Sequence, residues 1–288
     1  MKKILVKIVL LLVFAYQSAC ADKHVTCSLD AAAGKIVKKL TKGDIIFFDI
    51  DRTLVEINDP FYYILHPTEC IMKDEDVTWA AGIKKRFDAE VAADMARYLC
   101  GSIYTIYGMR LVENCIPFII SFFIEQGVNV IAVTSTDPGA IIDGLTIHEN
   151  RAESLKNFGI DLSGQFDDGP ISFPSLEPSV CNKDKTPVYP VFYKGIFLVG
   201  KKNTKGKSIL EFINHFKLKP TRIVFFDDDQ SHVENVDNTM KAAKIACDAV
   251  WYLGSYKKII TFDRENIEFR LNHLIERNEF SRLPVSTC

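Results

Sequence analysis

Short apolar runs that end abruptly in polar residues alternate with stretches of helical periodicity. Asp44–Phe48 runs into Asp49, Asn129–Val133 into Thr134, Gly195–Val199 into Gly200, Arg222–Phe226 into Asp227, and Val250–Leu253 into Gly254. Runs without polar alternation fit strands buried on both faces, as in parallel sheets. Helical stretches lie between or beyond them: Ile116–Gln126 before Gly127, Arg151–Asn157 before Gly159, Lys207–Phe216, Val236–Cys247 and Asn266–Glu279. This alternation predicts an α/β fold built on a doubly wound parallel sheet. Ligands of such sheets gather outside the carboxyl ends of the strands, which is where the polar residues cluster here.

Three segments break the pattern. Pro60 to about Gln126 is too long for one crossover and reads as mainly helical, which predicts a cap insertion over 60–126 in a core made of 22–59 and 127–288. Phe166–Tyr193 holds five prolines and predicts a long irregular loop or flap. The first 21 residues have the layout of a secretory signal: Lys2 and Lys3, an apolar stretch from Ile4 to Phe14 broken by Lys7, and the cleavage pattern Ala19-Cys20-Ala21. That stretch is short for a bilayer span, so the expectation is an exported chain, periplasmic or secreted, with no membrane span after cleavage. Cys20 offers lipid attachment as an alternative, against which Gln17 stands where a lipoprotein signal wants Leu.

Composition narrows this further. The 288 residues are 48% hydrophobic with a formal net charge of −2, enough for a sizeable core and without the basic excess of a nucleic-acid binder. Cleavage after residue 21 would remove three lysines and no acids, moving the charge to about −5. It would leave seven cysteines, an odd number, so at least one thiol stays free or pairs with another chain. No C-x-x-C occurs, which argues against zinc.

The strand ends carry the candidate chemistry. Asp49 and Asp51 straddle Ile50 at the end of the first run, and residues two apart on a strand face the same side. Two such carboxylates repel unless a cation or shared proton intervenes, and a hard ion such as magnesium takes oxygen ligands. Asp227, Asp228 and Asp229 follow four apolar residues and must sit at the end of their strand. Thr134 brings a hydroxyl to the same rim, with Ser135 in its place if the strand runs one residue further. Lys205 precedes Gly206 where a helix begins, placed to meet a phosphate and a carboxylate. The stretch from Gly200 to Ser208 approaches a P-loop, but five residues separate Gly200 from Gly206 where four are required. Asp167-Asp168-Gly169 follows no buried strand and reads as a turn, His232 as structural, and Arg52 as a surface residue.

Taken in order, DIDRTL, VTST, NTKGKS and FFDDDQSHVENV resemble the motifs of the haloacid-dehalogenase-like superfamily. The likeness is nearest to an exported bacterial branch that shares stretches such as RAESLKNFGIDLS and FYKGIFLVG. The resemblance implies a Rossmann-like core and a magnesium-dependent phosphatase acting on a small phosphorylated substrate. It makes Asp49 the nucleophile that becomes an aspartyl-phosphate. Asp51 becomes the general acid and base, with its backbone carbonyl on magnesium. Thr134 and Lys205 become ligands of the transferring phosphoryl group. Asp227 becomes a direct magnesium ligand, and Asp228 one through water, with Asp229 leaving the register open by one. The competing expectation is a catalytically weak or inactive exported binding or effector protein on the same fold.

Overall fold

The computed structural model describes residues 24–36, 39–67, 70–92, 95–96, 99, 108–142, 145–179, 186–255 and 259–279. The signal-like segment 1–21, with Cys20, lies outside the described residues, as do Cys100, Cys181 and Cys288. In chain order the elements are β1 (His24–Thr26), α1 (Leu29–Ile36), β2 (Ile45–Phe48), β3 (Val55–Ile57), α2 (Pro60–Leu65), α3 (Asp74–Glu90) and β4 (Met109–Leu111). Then come α4 (Ile116–Glu125), β5 (Asn129–Thr134), β6 (Ala140–Ile142), β7 (Leu145–Thr146), α5 (Ile147–Asn157), β8 (Ile171–Ser172), β9 (Val191–Tyr193) and β10 (Ile196–Leu198). The chain continues with α6 (Lys205–His215), β11 (Arg222–Asp227), α7 (Gln230–Ala242), β12 (Ala246–Tyr252) and α8 (Arg264–Arg277).

Among the described residues, eight strands form the main sheet in the order β1-β12-β11-β2-β5-β10-β9-β8. The pairings from β1 through β10 are parallel, and β9 and β8 add an antiparallel edge. The α/β, largely parallel expectation therefore holds, with two edge strands added. From β2 the chain steps to β5 and β10 on one side, then crosses to β11 and β12 on the other. The switch point lies beside β2, where such sheets bind their ligands.

The buried runs face both ways. Ile46, Phe48, Val130, Ala132, Val224 and Phe226 pack with α1, α4 and α5, while Ile45, Phe47, Ile131, Val133, Ile223 and Phe225 pack with α6 and α7. Each buried Ile, Val or Phe contributes roughly 1.5–3 kcal/mol, so the rim stands on a rigid base. A third cluster joins α2 and α3 to α8 through Phe61, Ile64, Ile83, Phe87, Ile267 and Leu271. A buried ion pair, Arg270 Nη2 to Asp59 Oδ2 at 2.6 Å, ties the same elements together. Helix α4 falls inside the expected 60–126 insertion yet packs on the main sheet through Ile116, Ile120 and Phe123.

Two sequence expectations are corrected. The helix read over Val236–Cys247 starts earlier, at Gln230, and ends at Ala242, so Ala246 and Cys247 belong to β12. Lys244 takes a left-handed φ of 60°, the role usually filled by glycine, so no Gly marked the stop. The proline-rich 166–193 segment contains β8 and β9. Lys194 and Gly195, with φ of 46° and 79°, form the two-residue turn of a β9–β10 hairpin, with the positive φ at both positions that a type I′ turn needs. Residues 180–185 of that segment lie outside the described residues. No helix among the described residues is long and apolar enough to cross a membrane.

Candidate active site

The ends of β2, β5 and β11 and the start of α6 surround a cavity of about 280 Å³, lined by Asp49, Asp51, Thr134, Lys205, Asp227 and Asp228 among others. All six residues picked from the sequence thus share one cavity. Asp49 leaves β2 with its N–H donated to the Phe226 carbonyl of β11 at 2.8 Å, which fixes the two strand ends side by side.

Lys205 is the centre of the arrangement. The Thr204 side chain caps α6 by accepting from the Lys207 N–H, which sets the first turn and aims Lys205 inward. Gly206 lets α6 approach α7: a Cβ there would press into Thr239 Oγ1 and Asn235 Oδ1, and the Gly206 N–H already donates to Asn235 Oδ1 at 2.9 Å. The Lys205 ammonium, 1% exposed, donates to Asp49 Oδ1 and, at 2.6 Å, to Asp227 Oδ2. Burial opposes its charge, but Asp49 and Asp227 outweigh that and hold its pKa above the ordinary lysine value.

The carboxylates outnumber that one buried cation. Asp49, Asp227 and Asp228 are all buried, and each offers an oxygen within 4.8 Å of the others'. Burial raises the Asp49 pKa well above the ordinary value, with Asp227, Asp228 and Asp51 adding to the rise against Lys205. Burial pushes the Asp228 carboxyl up to about 7, opposed by Arg52, whose Nη2 lies 2.7 Å from Asp228 Oδ2. Asp227 goes the other way: burial raises its pKa, but Lys205 and His232 hold it below the ordinary value. A compact set of oxygen donors with surplus negative charge fits a hard divalent cation such as magnesium.

Asp229 stands apart from this set. Its side chain caps α7, accepting from the Ser231 N–H at 2.7 Å and the Ser231 hydroxyl at 2.6 Å. Asp228 is the second acid that faces Asp49. His232, read as structural, reaches Asp227 at 3.3 Å and lines the cavity. Arg52, read as a surface residue, also lines it, with a left-handed φ of 62°.

Asp51 is half-exposed, at 40% of its side chain, and it meets a residue the sequence reading had not singled out: Arg151 Nη2 lies 2.5 Å from its Oδ2. The same guanidinium donates to Thr136 Oγ1 at 3.3 Å, and Thr136 Oγ1 shares a hydrogen bond of 2.9 Å with Thr134 Oγ1. Arg151 and Leu155 are four apart on α5 and both buried. An arginine on the apolar face of a helix was the available signal.

A family model, described as a protein of unknown function (DUF2608), matches residues 26–280. The chain belongs to the DUF2608 family. A search of curated proteins finds no match. Among solved structures, the HAD domain of the effector protein Lem4 from Legionella pneumophila, an inactive mutant, is 12% identical, with 82% of this chain and 96% of that one covered and a TM-score of 0.35. A protein provisionally assigned as a beta-phosphoglucomutase, from Thermotoga maritima, is 13% identical, with 81% and 99% covered and a TM-score of 0.36. Likenesses this distant carry no weight for this DUF2608 member; its own geometry does.

Proposed function

We propose that the protein is a magnesium-dependent phosphatase of the haloacid-dehalogenase-like type, hydrolysing a small phosphomonoester through an aspartyl-phosphate. The observation that carries the reading is the buried Lys205 ammonium bridging Asp49 and Asp227 at the floor of a cavity that Thr134 and Asp51 also line. Asp49, Asp227 and Asp228, with the Asp51 backbone carbonyl, would hold magnesium. The ion supplies positive charge to the phosphoryl oxygens, whose transition state is stabilised by positioning and cations.

In the first half-reaction an Asp49 oxygen bonds to phosphorus as the ester oxygen departs with a proton from Asp51. In the second, water attacks phosphorus, gives its proton to Asp51, and the bond to Asp49 breaks. Lys205 and Thr134 hold the phosphoryl group in line. Tyr62 and Tyr63 of α2 wall the cavity opposite, so the inserted helices act as a cap that restricts the substrate to small esters. Export belongs to the same reading, through the signal-like residues 1–21.

Purified protein is expected to hydrolyse p-nitrophenyl phosphate with magnesium and to lose that activity with EDTA. Magnesium at one hundred times its Kd should stabilise the wild type by about 2.7 kcal/mol and do so less for Asp227→Asn. Activity that survives Asp49→Asn ends the assignment of the nucleophile. A mature N-terminus other than Asp22 on the secreted chain overturns the cleavage site.

A further inference from the structure

The strongest unassigned feature is a buried cation behind the cavity wall. Arg151 is 1% exposed, whereas the Asp51 it pairs with is 40% exposed. Asp51 and Thr136 line the cavity and Arg151 does not. The guanidinium reaches toward the reacting centre through these two side chains, at 2.5 Å and 3.3 Å. Burying an arginine is expensive unless its charge is met, and charge-assisted hydrogen bonds from a planar guanidinium fix direction as well as distance. Asp51 follows the last strand residue of β2 by three positions and forms a β-bridge with Val55, just ahead of the turn that begins at Arg52, whose φ is 62°. A half-exposed carboxylate beside a turn has several rotamers, and the contact with Arg151 selects one.

We propose that Arg151 is a positioning residue: it holds the Asp51 carboxylate at the leaving-group side of the cavity, with the Thr136 hydroxyl as a second acceptor that steadies the guanidinium. This rests on the phosphatase reading. Arg151 is supplied by α5, outside all four strand-end motifs, so the acid comes from one segment and its orientation from another a hundred residues away.

The test compares kcat/KM, with magnesium, for two aryl phosphates. The p-nitrophenolate of p-nitrophenyl phosphate leaves readily without a proton, while the phenolate of phenyl phosphate needs one. Arg151→Met is expected to lower kcat/KM for phenyl phosphate by about 10²-fold, the scale of a misplacement near 1 Å. The loss for p-nitrophenyl phosphate should stay under about 10-fold, the same bias as in Asp51→Asn. Adding Arg151→Met to Asp51→Asn should change kcat/KM by less than about 2-fold, since residues acting as a unit are non-additive. Arg151→Lys, which keeps the charge but loses the fork, should show a weaker bias of the same sign. It decides the question alone if the Met variant does not fold.

Equal losses on both substrates, or additive losses with Asp51→Asn, overturn this role and leave the phosphatase reading intact. A wild-type protein inert toward both esters overturns that reading, and this role with it.

Discussion

The two ends of β2 carry one buried aspartate each, and they are built in opposite ways. Asp44, just before the strand, is 1% exposed and accepts from the Thr41 and Thr221 N–H groups and hydroxyls and from the Arg222 N–H, at 2.7 to 3.0 Å. Burial alone would raise its pKa, but those donors hold it below the ordinary value. Asp49, just after the strand, has Lys205 and three other carboxylates around it, and its pKa is raised. At the amino end every charge is answered by neutral dipoles, which locks the strand to its neighbours. At the carboxyl end like charges crowd together, a cost that a divalent cation on the same oxygens would relieve. A buried carboxylate is thus informative chiefly through what surrounds it.

The sharpest way to break this contrast is to exchange the outcomes. Asp49→Asn should lower phosphatase kcat by roughly 10⁴-fold, while its melting temperature without magnesium does not fall, because one of the clustered carboxylates is gone. A magnesium-free melt well below that of the wild type would contradict the surplus-charge account. Next in size, Arg270→Met leaves Asp59 buried without its matched cation, and urea unfolding should show a loss of about 3–5 kcal/mol. Asp44→Ala should cost roughly 3 kcal/mol by stranding buried donors, with kcat of the folded fraction unchanged. Its pH dependence follows from the lowered pKa. The stabilisation from Asp44 is complete above its unfolded value, near 3.8, and is lost as pH falls through the lower folded value. Wild type and Asp44→Ala should therefore converge in stability in acid, which pH-dependent unfolding would measure. The smallest effect is expected of Asp229→Ala, about 1 kcal/mol of helix stability for the lost cap with magnesium binding intact. A calorimetric loss of magnesium affinity in that variant would move Asp229 into the site.

The carboxyl-end half of this contrast was legible in the sequence, while the role of Asp44 was not, since its donors come from residues up to 178 positions away. The apolar runs at β2, β5 and β11 are buried on both faces, so their composition alone separates them from helices and places Asp49, Thr134 and Asp227 at their ends. Lys205 was legible because a capped helix start has a sequence form. Other features were not. The β9 strand hides among prolines, and only the Lys194-Gly195 turn marks it. The end of α7 hides because a lysine, not a glycine, takes the left-handed position. Arg151 showed in the sequence only as an arginine on an apolar helix face, because its partner Asp51 lies a hundred residues away and is joined to it by the fold. The pairing of Asp59 with Arg270 is equally long-range, across 211 positions.

Gly206 has a consequence for how this chemistry can drift over generations. It bears no charge and does not line the cavity, yet its missing methyl lets one helix lean into the cleft of the next. Even alanine there would wedge the two apart at their point of nearest approach, and the adjacent ammonium would swing away from both of its acids. The reach of that ammonium is here governed by a gap too small for a single carbon atom, so a disturbance of the site can begin in a contact between neighbours that are themselves inert.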